Sequence, residues 1–149
     1  MQVYCDTSAV GGCFDPEFRK WSEALWQEFI IGKKTAVFSD LTLLELEQAP
    51  EQVRKKLEEI PEAHVRYLLL DDEARVLALH YIQENVVSEQ FLLDCQHIAL
   101  ATVQKVDVLV SWNFKHIVNY NRIRLYNAVN IKVGYNMLEI RSPREVIDG

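Results

Sequence analysis

The chain has 149 residues, of which 49% are hydrophobic, enough to bury the core of one domain, so residues 1–149 are predicted to form a single domain. The net charge is −6, whereas a plain phosphate-binding domain would be basic. The charge is unevenly distributed, because residues 1–99 carry a net −9 and residues 100–149 a net +3, so an anion-binding face can lie beside an acidic one.

Short apolar runs alternate with amphipathic segments over most of the chain. In chain order, the sequence predicts strands over residues 2–5, 35–38, 65–70 and 108–110, and helices over residues 17–31, 41–48, 51–60, 71–85 and 89–104. The helices are indicated by apolar residues that recur every three or four positions. Gly32, Pro50 and Pro61 stand where three of the helices are expected to end.

The pattern is weaker in the last quarter of the chain. Residues 119–136 are rich in Asn and Tyr and are predicted to be loops, and residues 137–140 a short last strand. Residues 142–145 have the S-x-x-E form of a capping box, with Pro143 at the first helical position. We therefore expect a short terminal helix.

The alternation of strands and helices predicts an α/β fold, with parallel strands and helices on both faces of the sheet. Ligands of such sheets bind outside the carboxyl ends of the strands. Asp6 follows the first strand, Glu45 lies one turn into the helix after the second, and residues 111–113 follow the fourth. Asp94 lies in the apolar helix that leads into the fourth strand.

These three carboxylates have no basic neighbours, since no Arg or Lys lies within three residues of Asp6, Glu45 or Asp94. A buried carboxylate without a partner is costly, and carboxylates that lie close together repel one another. A hard divalent cation such as Mg²⁺, which prefers oxygen ligands, removes both costs. Such an ion can activate water and neutralise the charge of a phosphodiester.

Four motifs carry the candidate residues, and they occur in this order over nearly the whole chain: VYCDTSAV with Asp6, SDLTLLELEQA with Glu45, FLLDCQHIALAT with Asp94 and DVLVSWNFKHI with Asn113. Together they resemble the PIN-domain family of metal-dependent nucleases, which includes the ribonuclease toxins of bacterial toxin-antitoxin pairs. The resemblance implies a three-layer α/β/α fold around a mainly parallel sheet. It also implies RNA hydrolysis with Mg²⁺ or Mn²⁺, an antitoxin partner and a homodimer.

Asp6, Glu45 and Asp94 take the places of the first three acids of the family, so the resemblance assigns them to the metal. Asn113 falls at or beside a fourth position that is often an aspartate. Its amide carries no charge but keeps one carbonyl oxygen, which can bind a metal or its water. With three formal charges in place of four, a second ion is expected to bind more weakly.

Thr7, Ser8, Lys115 and His116 are assigned to substrate binding. For Thr7 and Ser8 the alternative role is to cap the turn that follows the first acid. Lys115 and His116 are expected to contact phosphate, but a solvated or internally hydrogen-bonded histidine is the alternative, as it is for His97.

The proposed metal ligands have plain structural interpretations as well. Asp6 can hydrogen-bond the backbone of the following turn, and Asn113 can be a turn residue after a strand. Glu47 is the rival to Glu45, since glutamates on helices are usually solvated. Asp94 has the weakest such alternative, because a charged residue is seldom placed in an apolar helix without a partner.

Two other function classes compete with a ribonuclease. The missing fourth acid and the net negative charge are compatible with a PIN-like binding module that has no catalysis. The Asp-x-Ser sequence at Asp6 is compatible with a third class, a phosphotransferase that uses the aspartate as its nucleophile. That class is disfavoured, because Ala9 and Val10 follow and no later lysine lies in a recognisable supporting motif.

The remaining sequence features concern the compartment. The three cysteines have no metal-binding spacing, which predicts neither a disulfide framework nor a zinc site. Asp6 interrupts the N-terminal apolar run, so no signal peptide is expected. No stretch approaches the roughly 20 apolar residues of a membrane helix. We expect a soluble cytoplasmic protein without membrane contact.

Overall fold

Five parallel strands form one sheet in the order β3-β2-β1-β4-β5. In the computed structural model, which describes residues 1–148, the strands are β1 (Gln2–Cys5), β2 (Thr35–Ser39), β3 (Val65–Leu68), β4 (Val108–Val110) and β5 (Ile140–Arg141). β1 lies at the centre, where Tyr4 is paired with Val37 of β2 on one side and with Leu109 of β4 on the other. The predicted parallel α/β fold is confirmed.

Helices connect the strands on both faces. Within residues 1–148 the α-helices are α1 (Thr7–Gly11), α2 (Arg19–Ile30), α3 (Asp40–Leu46), α4 (Glu51–Arg54), α5 (Asp72–Gln83), α6 (Leu92–Val103), α7 (Tyr120–Lys132) and α8 (Pro143–Val146). Short 3₁₀ helices lie at Gly12–Phe14, Lys55–Glu59, Glu62–His64 and Glu89–Phe91. No helix among these residues is long and apolar enough to cross a membrane.

The sheet separates two hydrophobic cores, because successive side chains of a strand point to opposite faces. Tyr4, Val37 and Leu109 point to the face that α5, α6 and α7 cover. Val3 and Val110 point to the other face, which α1 and α2 cover. This arrangement is the three-layer α/β/α architecture, with both faces of the parallel sheet buried.

The prediction of loops over residues 119–136 is wrong, since α7 occupies most of this segment. Asn119 is its N-cap and accepts a hydrogen bond from the backbone of Arg122 at 3.2 Å. Asn127 is buried and bonds the backbone of Leu138 in both directions, at 3.0 and 2.7 Å. Tertiary hydrogen bonds therefore compensate for the weak helix propensity of Asn.

Several predicted boundaries also shift. The helix expected over residues 51–60 consists of α4 followed by a 3₁₀ helix, and the last strand begins only at Ile140. The short helix α1 was not predicted, because its five residues are too few for a periodic pattern. The capping box at Ser142 is confirmed, with the Glu145 side chain accepting from the Ser142 backbone at 3.0 Å.

Candidate active site at the carboxyl edge of the sheet

The carboxyl ends of β1, β2 and β4 form one edge of the sheet, called here the carboxyl edge. In the sheet, β1 lies between β2, which follows it in the chain, and β4, which comes later in the chain. A parallel sheet opens a crevice where the connections diverge in this way. Asp6, Glu45 and Asn113 follow these three strands, and Asp94 lies on α6, which precedes β4.

Asp6 is 5% exposed and lies at the N-cap of α1. One carboxylate oxygen accepts from the Ser8 hydroxyl at 2.7 Å and from the Ala9 backbone at 3.0 Å, and the other accepts from the Ser111 hydroxyl at 2.6 Å. Burial raises the pKa of Asp6, and the His97 imidazole and these donors oppose the rise. The carboxylate is thus held in place by neutral donors.

Glu45 is held by a chain of hydrogen bonds that links α3 and α6 to strands β1 and β2. The Nε2 of His97 donates to the Glu45 carboxylate at 2.8 Å, and the Nδ1 lies 2.7 Å from the Tyr4 hydroxyl. That hydroxyl lies 2.7 Å from the hydroxyl of Ser39. Burial favours a higher pKa for Glu45, but His97, with a smaller contribution from Thr7, outweighs it and lowers the pKa. Glu45 is therefore ionised and oriented.

Asp94 contacts Asn113 across the same edge. The Asn113 amide nitrogen donates to the Asp94 carboxylate at 3.4 Å. The pKa of Asp94 is raised to about 6, mainly by burial and also by the charges of Asp6 and Glu45, against the lowering effects of His97 and Asn113. The three acids therefore lie close enough to repel one another.

Asn113 is a turn residue whose side chain also contacts Asp94. Its carbonyl oxygen accepts from the backbone of Lys115 at 3.2 Å and of His116 at 3.0 Å, as a turn residue does. Its own backbone nitrogen donates to the Ser111 hydroxyl at 3.0 Å, and the same hydroxyl donates to Asp6. The turn after β4 thus connects the two acids through Ser111 and Asn113.

The four residues assigned to substrate binding lie around this edge. Ser8 accepts from the Trp112 backbone at 2.9 Å, so it fixes the turn after β4. Thr7 lies near Glu45, yet its buried hydroxyl lacks a partner with full hydrogen-bond geometry among residues 1–148. Lys115 is exposed and His116 is buried. Their contact with substrate stays a prediction.

The sequence predicts no role at the site for Ser111 or Tyr4, and for His97 it predicts only a solvated or internally hydrogen-bonded side chain. His97 is satisfied, but both of its nitrogens face groups at the site. Its position three residues after Asp94 on a helix was a usable signal, since such residues share one face. The rival ligand Glu47 is exposed at the end of α3, whereas Glu45 turns inward.

Comparison with known proteins finds similarity at the level of the structure. No protein-family model matches the sequence, and no curated protein matches it significantly. The structure is similar to that of VapC20 from Mycobacterium tuberculosis, a sarcin-ricin loop cleaving toxin, with a TM-score of 0.57 and 12% sequence identity over 76% of this chain and 91% of that chain. The chain has a PIN-domain toxin fold. The resemblance drawn from the four motifs is confirmed at the level of the fold.

The PIN-domain fold implies a divalent metal, and the donors at the carboxyl edge fit one. Among residues 1–148 no group of three or more His, Cys, Asp or Glu side chains is already gathered into a metal site. The available donors are nevertheless all hard oxygens, namely the carboxylates of Asp6 and Asp94, the free oxygen of Glu45 and the carbonyl of Asn113. Mg²⁺ commonly takes one or two carboxylates and retains waters, so a complete protein cage is not required.

Proposed function

We propose that this chain is a Mg²⁺- or Mn²⁺-dependent endoribonuclease of the PIN-domain toxin type. The supporting observation is the set of three acids from distant segments at the carboxyl edge. Burial and the charges of Asp6 and Glu45 raise the pKa of Asp94, and the acids are held only by neutral donors and the His97 imidazole. Such unrelieved carboxylates are characteristic of functional sites. Cleavage of an RNA loop by the similar toxin agrees with this activity.

Asp6 and Asp94 would hold the metal, with the Asn113 carbonyl beside them. When bound, the ion supplies Lewis-acid activation of water and charge neutralisation at the phosphodiester. The Ser8 and Ser111 hydroxyls orient the Asp6 carboxylate and favour its ionised form.

Glu45 is suited to orient the attacking water as a hydrogen-bond acceptor. Its pKa is lowered, so it is ionised at neutral pH. The hydrogen bond from His97 fixes one carboxylate oxygen and leaves the other free to orient the water. The Tyr4 hydroxyl in turn holds the His97 ring from the opposite side.

The proposal includes the biological setting that this activity entails. The substrate is RNA, the regulator is an antitoxin protein, and the active form is a homodimer in the cytoplasm. We treat residues 1–149 as one PIN-like domain that contains the whole site.

The decisive test is RNA cleavage by Asp6→Asn and Asp94→Asn variants with Mg²⁺ or Mn²⁺. Each substitution is expected to lower the rate by at least about 100-fold, the typical effect of losing one catalytic group. Glu47→Gln is the matched control, because it removes an exposed charge from the same region and should retain the parent rate. Cleavage at the parent rate by both aspartate variants would contradict the proposal.

A second candidate is a PIN-like binding module without catalysis. It is favoured by Asn113, whose carbonyl oxygen is already bonded by two backbone nitrogens, and by the lack of a ready-made metal cluster in residues 1–148. This candidate predicts that Mn²⁺ does not shift the thermal melt, whereas a metal site gives a saturable shift.

The structure disfavours a phosphotransferase with Asp6 as its nucleophile. The side chains and backbone groups that bond Asp6 within residues 1–148 are Ser8, Ala9 and Ser111, and no lysine is among them to support a phosphorylated aspartate.

A further inference from the structure

A pocket of about 340 Å³ lies next to the carboxyl edge, lined by Asn85, Val87, Ser88, Phe91, His116 and Arg122. The two segments that supply the site also supply this pocket. Phe91 lies three residues before Asp94, and His116 lies three residues after Asn113. The backbone of His116 donates to Asn113 at 3.0 Å, so the pocket wall and the site are directly joined. We call it the side pocket.

Arg122 brings one positive charge to the side pocket, in a chain whose net charge is −6. No carboxylate is among its lining residues within the part of the chain that the structure describes. Burial lowers the pKa of His116, and the positive charges of Lys115 and Arg122 lower it further. Arg122 is half-buried, and its guanidinium donates to the Val86 carbonyl, which fixes it at the pocket.

Unused donors accompany these charges. His116 is 9% exposed and stacks on Phe91 with ring centroids 3.6 Å apart, yet its Nδ1 has no hydrogen-bond partner within residues 1–148. An unpaired buried nitrogen is costly and calls for a partner. Ser88 is exposed and its side chain makes no cap hydrogen bond, and the exposed Asn85 adds an amide.

We infer that the side pocket binds a backbone phosphate of single-stranded RNA next to the phosphodiester that is cleaved. The inference rests on the proposed ribonuclease function and adds the subsite that places its substrate. The carboxyl edge alone repels a polyanion, whereas the fixed Arg122 guanidinium offers a fork of donors that matches a phosphate. The volume of about 340 Å³ also lies in the range of ligand pockets.

The test measures binding of a fluorescently labelled single-stranded RNA in EDTA, by anisotropy at several salt concentrations. Arg122→Gln is expected to weaken binding about tenfold and to reduce the salt slope by about 0.7, the value for one phosphate contact on a single strand. Arg124→Gln is the matched control on the same helix, since its guanidinium lies 5.6 Å from the Tyr120 ring centroid and outside the side pocket. It should bind like the parent.

The outcomes distinguish a specific phosphate subsite in the side pocket from a general electrostatic attraction between the RNA and the protein surface. Equal weakening by Arg122→Gln and Arg124→Gln, or no weakening by Arg122→Gln, would overturn the inference. Inorganic phosphate serves as the competitor. If it displaces the RNA at concentrations equal to those of an unlabelled oligonucleotide, the pocket is a small-anion site and the assignment to RNA is wrong.

Arg122 also bonds the backbone, so its variant must first be shown to melt like the parent. If it does not fold, a Lys115→Gln, Ser88→Ala double variant replaces it, with the same expected loss of affinity. Because binding is measured without metal, it is independent of cleavage. If the parent binds RNA through Arg122 but does not cleave it, only the ribonuclease proposal is contradicted. If the parent cleaves RNA but its binding does not depend on Arg122, only the side-pocket inference is contradicted.

Discussion

Two buried groups of charges in this molecule are organised in opposite ways. Just before β2, Lys34 is 6% exposed and its ammonium lies 2.5 Å from the carboxylate of Glu28, which is itself 8% exposed. At the carboxyl edge, Asp6 is equally buried but is bonded only by hydroxyls and a backbone nitrogen. The first group neutralises its charge within the protein, and the second does not.

On the proposed function, the difference separates charges that maintain the fold from charges that bind a ligand. A paired buried carboxylate has its charge compensated in the folded protein without any ligand. Burial, with a smaller contribution from the charges of Asp6 and Glu45, raises the pKa of Asp94 to about 6, so the ionised carboxylate is unfavourable in the folded state. Binding of a cation, as proposed for this edge, would remove that cost.

The largest effect is expected when the buried ion pair between Lys34 and Glu28 is broken. Lys34→Met leaves Glu28 buried without its cation and should lower the free energy of unfolding by about 3 kcal/mol in urea denaturation. Lys33→Met is the matched control, because Lys33 is half-exposed in its ion pair with Asp148 and the variant should lose far less stability. Equal losses would mean that the buried pair is no different from a surface pair.

The second-largest effect is the stabilisation by metal that is expected at the acids of the carboxyl edge. Free Mn²⁺ at about 100 times its Kd should raise the free energy of unfolding of the parent by about 2.7 kcal/mol. Asp94→Asn should lose this response because it removes a ligand, whereas Lys34→Met should keep it. A response of Asp94→Asn equal to that of the parent would place the metal elsewhere.

Asp94→Asn without metal should stabilise the protein. The folded pKa of about 6 lies above the usual 3.8, so the folded state binds the proton more tightly and stability falls as pH rises through this window. At pH 7 the variant should gain about 1–2 kcal/mol, reduced from the full shift because the side chain is partly exposed. The gain should vanish near pH 4, as measured by urea denaturation across pH. A gain that persists at low pH would contradict the electrostatic cause.

The smallest effect is expected for Asn113→Asp. A fourth carboxylate should raise Mn²⁺ affinity by about fivefold, or about 1 kcal/mol, in calorimetric titration. It should also lower the metal-free stability, because the bond from Asn113 to Asp94 becomes a repulsion. Asn119→Asp adds the same charge at the N-cap of α7 and serves as the control, for which unchanged affinity is expected. Unchanged affinity in Asn113→Asp itself would exclude this side chain from the metal site.

The regular parts of the fold were predictable because their signals are local. Strand β4 lies where its apolar run predicted, and α5 begins within one residue of the predicted start at Asp71, whose side chain caps it. Helix α7 was not predictable from its own residues. Its buried Asn127 is stabilised by Leu138, a residue outside the helix.

The candidate site divides in the same way. The sequence by itself determined the acids, since a carboxylate at the end of a buried strand or inside an apolar helix stands out without any knowledge of its neighbours. Only the tertiary structure decided what surrounds them. The bond from Ser111 to Asp6 joins residues 105 positions apart, and that from His97 to Glu45 joins residues 52 apart. Such contacts depend on how the strands are ordered in the sheet, and no local pattern of residue types encodes that order.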